Sequence, residues 1–165
     1  MKIAPISFQG KPDNYSKIDK YLSRSAQPNK EDFVWLKEQG VTDVFNFRTM
    51  YVPAVDYNEE EIVESLGMKY HNIPSITRAP SEENVDVFLK EVDKIIEAGG
   101  KAHIHCKAGA DRTGMYSYIY KSVKGIGESV ENQLEMVKMG HNLKLYPDLL
   151  PWANNLIKKI LKYGK

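Results

Sequence analysis

Residues 101–122 read KAHIHCKAGADRTGMYSYIYKS and hold the only cysteine of a 165-residue chain. KAHIHC follows a Gly-Gly helix stop at 99–100 and reads as a strand. KAGADR is a loop, and a helix begins near Arg112 or Thr113. In an open α/β sheet, a strand-to-helix junction of this kind lies at the carboxyl edge, where ligands bind. Successive backbone N–H groups leading into a helix N-terminus form a site for a phosphate-like anion. Lys107, Ala108, Gly109 and Ala110 supply that backbone. Gly109 permits the tight curvature, and Arg112 offers a planar fork of donors for two phosphate oxygens. Helix N-termini and nearby cations favour the thiolate form of a cysteine. Cys106 is thus expected to attack phosphorus in line, giving a cysteinyl-phosphate that water later hydrolyses.

Outward from this loop, strands alternate with helices, which predicts an α/β single domain over 1–165 with a mostly parallel sheet. Residues 1–20 are polar and irregular and read as a surface arm. Tyr21 to Pro28 hold a short edge strand. Asn29 caps a helix stopped by Gly40, and residues 41–48 form a buried strand. Asn58 and Glu61 make a capping box for a helix that ends at Gly67. Residues 68–74 are the next strand. Ser81 caps a helix running to about Ala98, with Val85, Phe88, Leu89, Val92, Ile95 and Ile96 on one face. Two helices close the chain. Their stripes, Val130, Leu134 and Val137 in one and Leu150, Ile157, Ile160 and Leu161 in the other, read as core.

HCKAGADRTG resembles the His-Cys-x5-Arg-Thr/Ser-Gly signature of cysteine-dependent protein tyrosine and dual-specificity phosphatases. His105, Cys106, Gly109, Arg112, Thr113 and Gly114 occupy its positions. Residues 22–125 resemble the compact dual-specificity branch, and RSAQP and VFNFR are similar to stretches of its bacterial and atypical members. The resemblance implies a central four- or five-stranded sheet flanked by helices, and no cofactor. It assigns Cys106 as nucleophile and Arg112 as the clamp on the phosphoryl oxygens. It makes Thr113 a hydrogen-bond donor to the thiolate and His105 an orienting group rather than a base.

The family usually carries an aspartate about 30 residues before the cysteine, and that region here is NIPSITRAPS, without an acid. Glu82, Glu83 and Asp86 read as carboxylates of a first helical turn. Asp111 stands directly before Arg112, as in myotubularins, and is the candidate general acid; the plainer alternative is a cap or brace. Lys107 matches a lysine of relatives acting on phosphoinositides, whereas Ala110 stands where a second lysine would be. Arg48 and Arg78 could reach substrate or brace loops, and Tyr51 could stack on an aryl phosphate. His71, His103 and His141 lack ligand spacing and read as structural, so no metal is expected.

With 23 basic and 22 acidic residues the net charge is +1, which gives no argument for nucleic acid or an anionic membrane surface as a bulk partner, and no nucleic acid is expected. No apolar run reaches a membrane span or a signal peptide. A lone cysteine makes no intramolecular disulfide, so the chain is placed in a reducing cytoplasm. A monomer is expected. The expected substrate is a phosphorylated protein or a small phosphate ester, including phosphoinositides and inositol phosphates. Two rivals remain open: a phosphate-binding module without turnover, and a sulfurtransferase or arsenate reductase-like thiolate enzyme.

Overall fold

The computed structural model describes residues 10–49 and 57–163. In chain order these residues form β1 (Ser16–Lys17), β2 (Leu22–Ser25), α1 (Lys30–Glu38), β3 (Asp43–Asn46), α2 (Glu59–Ser65), β4 (Lys69–Asn72) and α3 (Glu82–Glu97). β5 (Ala102–His105), α4 (Asp111–Lys124), α5 (Ser129–Lys138) and α6 (Leu149–Tyr163) follow. The five strands make one sheet in the order β1-β2-β5-β3-β4. β1 pairs with β2 antiparallel, and every other pairing is parallel. β5 lies in the centre, with Ile104 opposite Arg24 on one side and Phe45 on the other. The strand carrying the cysteine is thereby flanked on both sides.

Alternation along the strands divides the apolar residues between two faces. Phe45, Phe47 and Ile104 join the larger cluster, with Val85, Phe88 and Val92 of α3, Tyr116 and Ile119 of α4, and Ala153 and Ile157 of α6. Val44 joins the smaller one, with Phe33 and Leu36 of α1 and Val63 of α2. Phe47 stacks on Tyr116 at 3.8 Å between ring centroids, and the Tyr116 hydroxyl bonds Ser75 Oγ at 2.7 Å. Burial pushes Tyr116 up to about 12, so it stays a neutral phenol.

Helix starts follow their caps. Asn29 and Asp32 form a complete capping box on α1. The box expected at Asn58 is half formed: Asn58 accepts from the Glu61 N–H at 3.1 Å without the reciprocal bond. α4 starts at Asp111, ahead of the Arg112 or Thr113 expected.

The expected core stripe on α5 is not core. Val130 is 67% exposed, Leu134 63% and Val137 38%. α5 instead turns Met136 and Asn132 inward, and Asn132 Nδ2 donates to the Ile126 carbonyl at 2.8 Å. Periodicity identified an apolar face, but α4 contacts the face beside it. On α6, Ile157 is buried, whereas Leu161 is exposed.

Of the expected arm, residues 1–9 lie outside the described residues, as does Tyr51. Residues 10–20 contribute β1, bury Ile18, and carry Asn14 in the left-handed region at φ 56°.

Candidate active site

The loop from Cys106 to Asp111 is built by groups that hold its carbonyls. The Lys107 carbonyl accepts from the Gln27 N–H at 3.0 Å. Asn14 Nδ2 donates to the carbonyls of Ala108 at 3.2 Å and Gly109 at 3.4 Å, and Arg24 Nη2 donates to Gly109 at 2.7 Å. In a trans peptide, C=O and the next N–H point opposite ways. Fixing these carbonyls therefore turns the N–H groups of Ala108, Gly109 and Ala110 to the other side of the loop. From Lys107 to Thr113, no backbone N–H makes a hydrogen bond among the described residues. Such a run of unpaired donors at a helix N-terminus is an anion cradle.

Gly109 is required here by both of its constraints. Its φ is 74°, and a Cβ would sit 2.6 Å from the Ser25 backbone.

Cys106 lies at the end of β5, 2% exposed. Arg112 is half-buried, without a hydrogen bond or ion pair among the described residues, so its fork is available to an anion. Thr113 is fully buried and its hydroxyl has no partner; the expected hydrogen bond to Cys106 is not formed. Lys107 and Ala108 are exposed, and Ala110 is buried.

His105 is fully buried. Its Nδ1 lies 3.2 Å from the Cys106 carbonyl, and its Nε2 lies 2.6 Å from Glu59 Oε2. Glu59 Oε1 accepts from Gln27 Nε2 at 2.8 Å and Asn46 Nδ2 at 3.3 Å. Gln27 Oε1 in turn accepts from Arg48 Nη1 at 3.0 Å. A chain Arg48–Gln27–Glu59–His105 thus braces the cysteine backbone. Burial, and then the like charge of Arg112, lower Arg48 from its ordinary value, with Cys106 and Glu59 opposing.

His103, two residues back, is wholly buried between serines. Ser25 Oγ–H donates to the Ala26 carbonyl at 2.7 Å, so it can only accept from His103 Nε2, also at 2.7 Å. His103 Nδ1 then accepts from Ser23 Oγ at 2.7 Å. This arrangement specifies a neutral ring. Burial, and secondarily His105, hold His103 well below the usual histidine range.

Asp111 is held from the segment before α6. Its Oδ1 lies 2.6 Å from His141 Nδ1 and accepts the Asn142 N–H at 2.9 Å. Oδ2 has no partner among the described residues. Of the α3 carboxylates, Glu82 pairs with Lys159 and Asp86 with Lys90. Arg78 donates to the Leu145 carbonyl at 3.4 Å and stands 5.1 Å from the Tyr146 ring centre, bridging two loops. His71 bonds Asp43 at 2.8 Å.

The site therefore gathers Cys106, Lys107–Thr113 and His105, with Arg48 as a brace. Sequence reasoning missed Asn14, Arg24, Gln27, Glu59 and His141. Arg24 and Gln27 belong to the RSAQP stretch, a signal that was present but carried no assigned role.

The family model described as "Polymorphic toxin system, DSP-PTPase phosphatase" matches residues 20–123. The chain belongs to this family. It is a cysteine-dependent phosphatase. The phosphatase shares its fold with solved structures at low identity. A DUF442 phosphatase of Shewanella putrefaciens CN-32 superposes with a TM-score of 0.77 at 24% identity, over 90% of this chain and 91% of that one. Pseudomonas aeruginosa TpbA gives 0.74 at 19% identity, over 93% and 92%. The core catalytic domain of the Saccharomyces cerevisiae PP-IP phosphatase SIW14 gives 0.70 at 18%, over 93% of each. No curated protein matches the sequence.

Proposed function

We propose that this phosphatase hydrolyses phosphate monoesters through a phosphocysteine on Cys106. The observation carrying this reading is the run of N–H groups from Lys107 to Thr113 that, like Arg112, have no partner among the described residues, around the single cysteine. Three phosphoryl oxygens fit these donors, and charge developing on them in the transition state is stabilised by the same groups. In the first step the S–P bond forms and the P–O bond to the leaving group breaks. Asp111 donates the proton that the departing oxygen needs. In the second step water attacks phosphorus, Asp111 takes its proton, the S–P bond breaks, and thiolate and inorganic phosphate are released. Thr113 is assigned to the departing thiolate, which its buried, unpartnered hydroxyl suits. His105 and Arg48 hold the loop in shape.

The substrate is assigned to the class of phosphorylated protein side chains and small phosphate esters, phosphoinositides and inositol phosphates included. TpbA has been solved with phosphotyrosine, and SIW14 is a PP-IP phosphatase, so both ends of that range occur on this fold. Lys107, exposed at the loop, supports a charged substrate. We place the enzyme in the cytoplasm, acting as a monomer and without nucleic acid. No helix among the described residues is long and apolar enough to cross a membrane. The exposed Val130 and Leu134 make light scattering the direct test of the monomer.

A phosphate-release screen over phosphopeptides, phosphoinositides and inositol phosphates, with Cys106→Ser as control, tests the reading. Release abolished by the serine variant is expected. Vanadate binding without release from any ester would leave a binding module instead. Turnover of thiosulfate or arsenate alone would leave a different thiolate enzyme.

A further inference from the structure

We infer that Arg24 is a positioning residue of the phosphate loop, a buried cation that fixes the Gly109 peptide and holds negative charge at Cys106 from beneath. The inference rests on the phosphocysteine reading and adds a group that the cysteine motif does not contain. Arg24 lies on β2, one strand over from β5, and is 1% exposed, among the largest wholly buried side chains described. Its Nη2 donates to the Gly109 carbonyl at 2.7 Å, and Nε is buried with no partner. A Cβ on Gly114 would lie 3.8 Å from Nη2, so the guanidinium sits between the loop and the first turn of α4.

A guanidinium stays charged, and a buried charge is costly unless it is compensated. Among the described residues Arg24 has no ion pair. Glu135 of α5 acts on it through space, but that carboxylate is bonded to Lys121 Nζ at 2.8 Å. Burial lowers Arg24 from its ordinary value, and the opposing charges are Glu135 and Cys106. Glu135 is the larger of these two and Cys106 the second, so ionised Cys106 and a phosphoryl group bound at its loop add counter-charge on the active-site side. The Gly109 contact converts this charge into geometry, because the held carbonyl turns the Ala110 N–H toward the opposite side. Other charged groups near Cys106 are Arg48 beyond β3, Arg112 on α4, Lys107 in the loop, Asp111 with His141, and the His105–Glu59 pair. Arg24 differs from Arg112 and Lys107 in being closed off from solvent, so neither salt nor substrate displaces it.

The test measures inactivation of purified protein by iodoacetamide across pH, which reads the thiolate without requiring turnover, beside p-nitrophenyl phosphate kinetics. Arg24→Met, close in length and uncharged, is expected to move the alkylation profile up by about one pH unit. It should lower kcat about 10–100-fold, with an unchanged far-ultraviolet spectrum. A folded R24M protein with the native profile and kcat would overturn the inference. Should R24M fail to fold, Arg24→Lys decides. Charge retained and fork lost predicts a native alkylation profile with kcat/KM about tenfold lower. An R24K profile displaced as far as one unit contradicts the electrostatic role. Absence of phosphate release by native enzyme, with normal alkylation of Cys106, would instead count against the phosphocysteine reading itself.

Discussion

The carboxylate of Asp111 and the imidazole of His141 meet at 2.6 Å between Oδ1 and Nδ1, joining the first turn of α4 to the segment before α6. His141 is buried, and its Nε2 has no partner, so the ring is held in place by packing and by Asp111. One oxygen of Asp111 is fixed by this contact and by Asn142, and the other is uncommitted among the described residues. In the proposed mechanism the proton of Asp111 is carried on that uncommitted oxygen.

Leaving-group dependence checks this arrangement. Asp111→Asn is expected to lose about 10²–10⁴-fold on alkyl phosphates, which need a proton on the departing oxygen, and about tenfold or less on p-nitrophenyl phosphate. His141→Phe should reproduce part of the selective loss, because Asp111 then keeps only the Asn142 bond. Equal small losses on both substrates would reduce Asp111 to a brace.

Glu59 accepts from Gln27 and Asn46 and faces His105, all in a buried setting. Removing it strands buried donors and leaves His105 without its partner. Glu59→Ala should cost about 3 kcal/mol in urea unfolding, whereas Glu59→Gln should recover part of that. Equal stability of the native and E59A proteins would show that the network does not hold the fold.

The neutral His103 gives a pH dependence of known sign. Its folded-state value is depressed, chiefly by burial, so below about pH 6.5 the unfolded chain binds a proton that the fold does not. This contribution is complete above pH 6.5 and is lost on acidification, at up to about 1.4 kcal/mol per pH unit. Urea midpoints between pH 7 and 5.5 should therefore fall more steeply for the native protein than for His103→Gln. Parallel slopes would mean that His103 takes up its proton within the fold.

The two faces of α5 separate core from surface. Leu134→Ser should change stability by about 0.5 kcal/mol or less, and Met136→Ala should cost about 2–5 kcal/mol. The sequence pattern alone predicts the reverse order.

That reversal shows what periodicity supplies. It reports that α5 has an apolar stripe, but not which side its neighbours cover: Met136 lies against Gly114 of α4, and Asn132 against the Ile126–Gly127 turn that follows α4. The candidate phosphate loop was legible for the opposite reason: the proposed nucleophile, cradle, clamp and hydroxyl lie within ten consecutive residues, so no tertiary knowledge was needed. Its supports were not legible, because they arrive from afar. Glu59 is 46 residues from His105, and Arg24 is 85 from Gly109. Their meaning exists only once β2, β3 and β5 lie side by side. The alternation of strands and helices, in contrast, was sufficient to predict the parallel sheet, since each crossover helix must return the chain in the same direction.

Gly109→Ala tests the loop's shape without touching a reactive group. With φ at 74° and Ser25 at 2.6 Å from the new Cβ, the loop must shift. Phosphatase activity is expected to fall about 100-fold while the fold persists.

The proposed chemistry turns on a bond between Cys106 and phosphorus. Rapid acid quench of the enzyme turning over p-nitrophenyl phosphate, followed by peptide mass spectrometry, reads it directly. One added phosphoryl group is expected on the peptide carrying Cys106, formed fast enough to be an intermediate and absent from Cys106→Ser. Turnover with no phosphoryl group on Cys106 and undiminished phosphate release by the serine variant would contradict it.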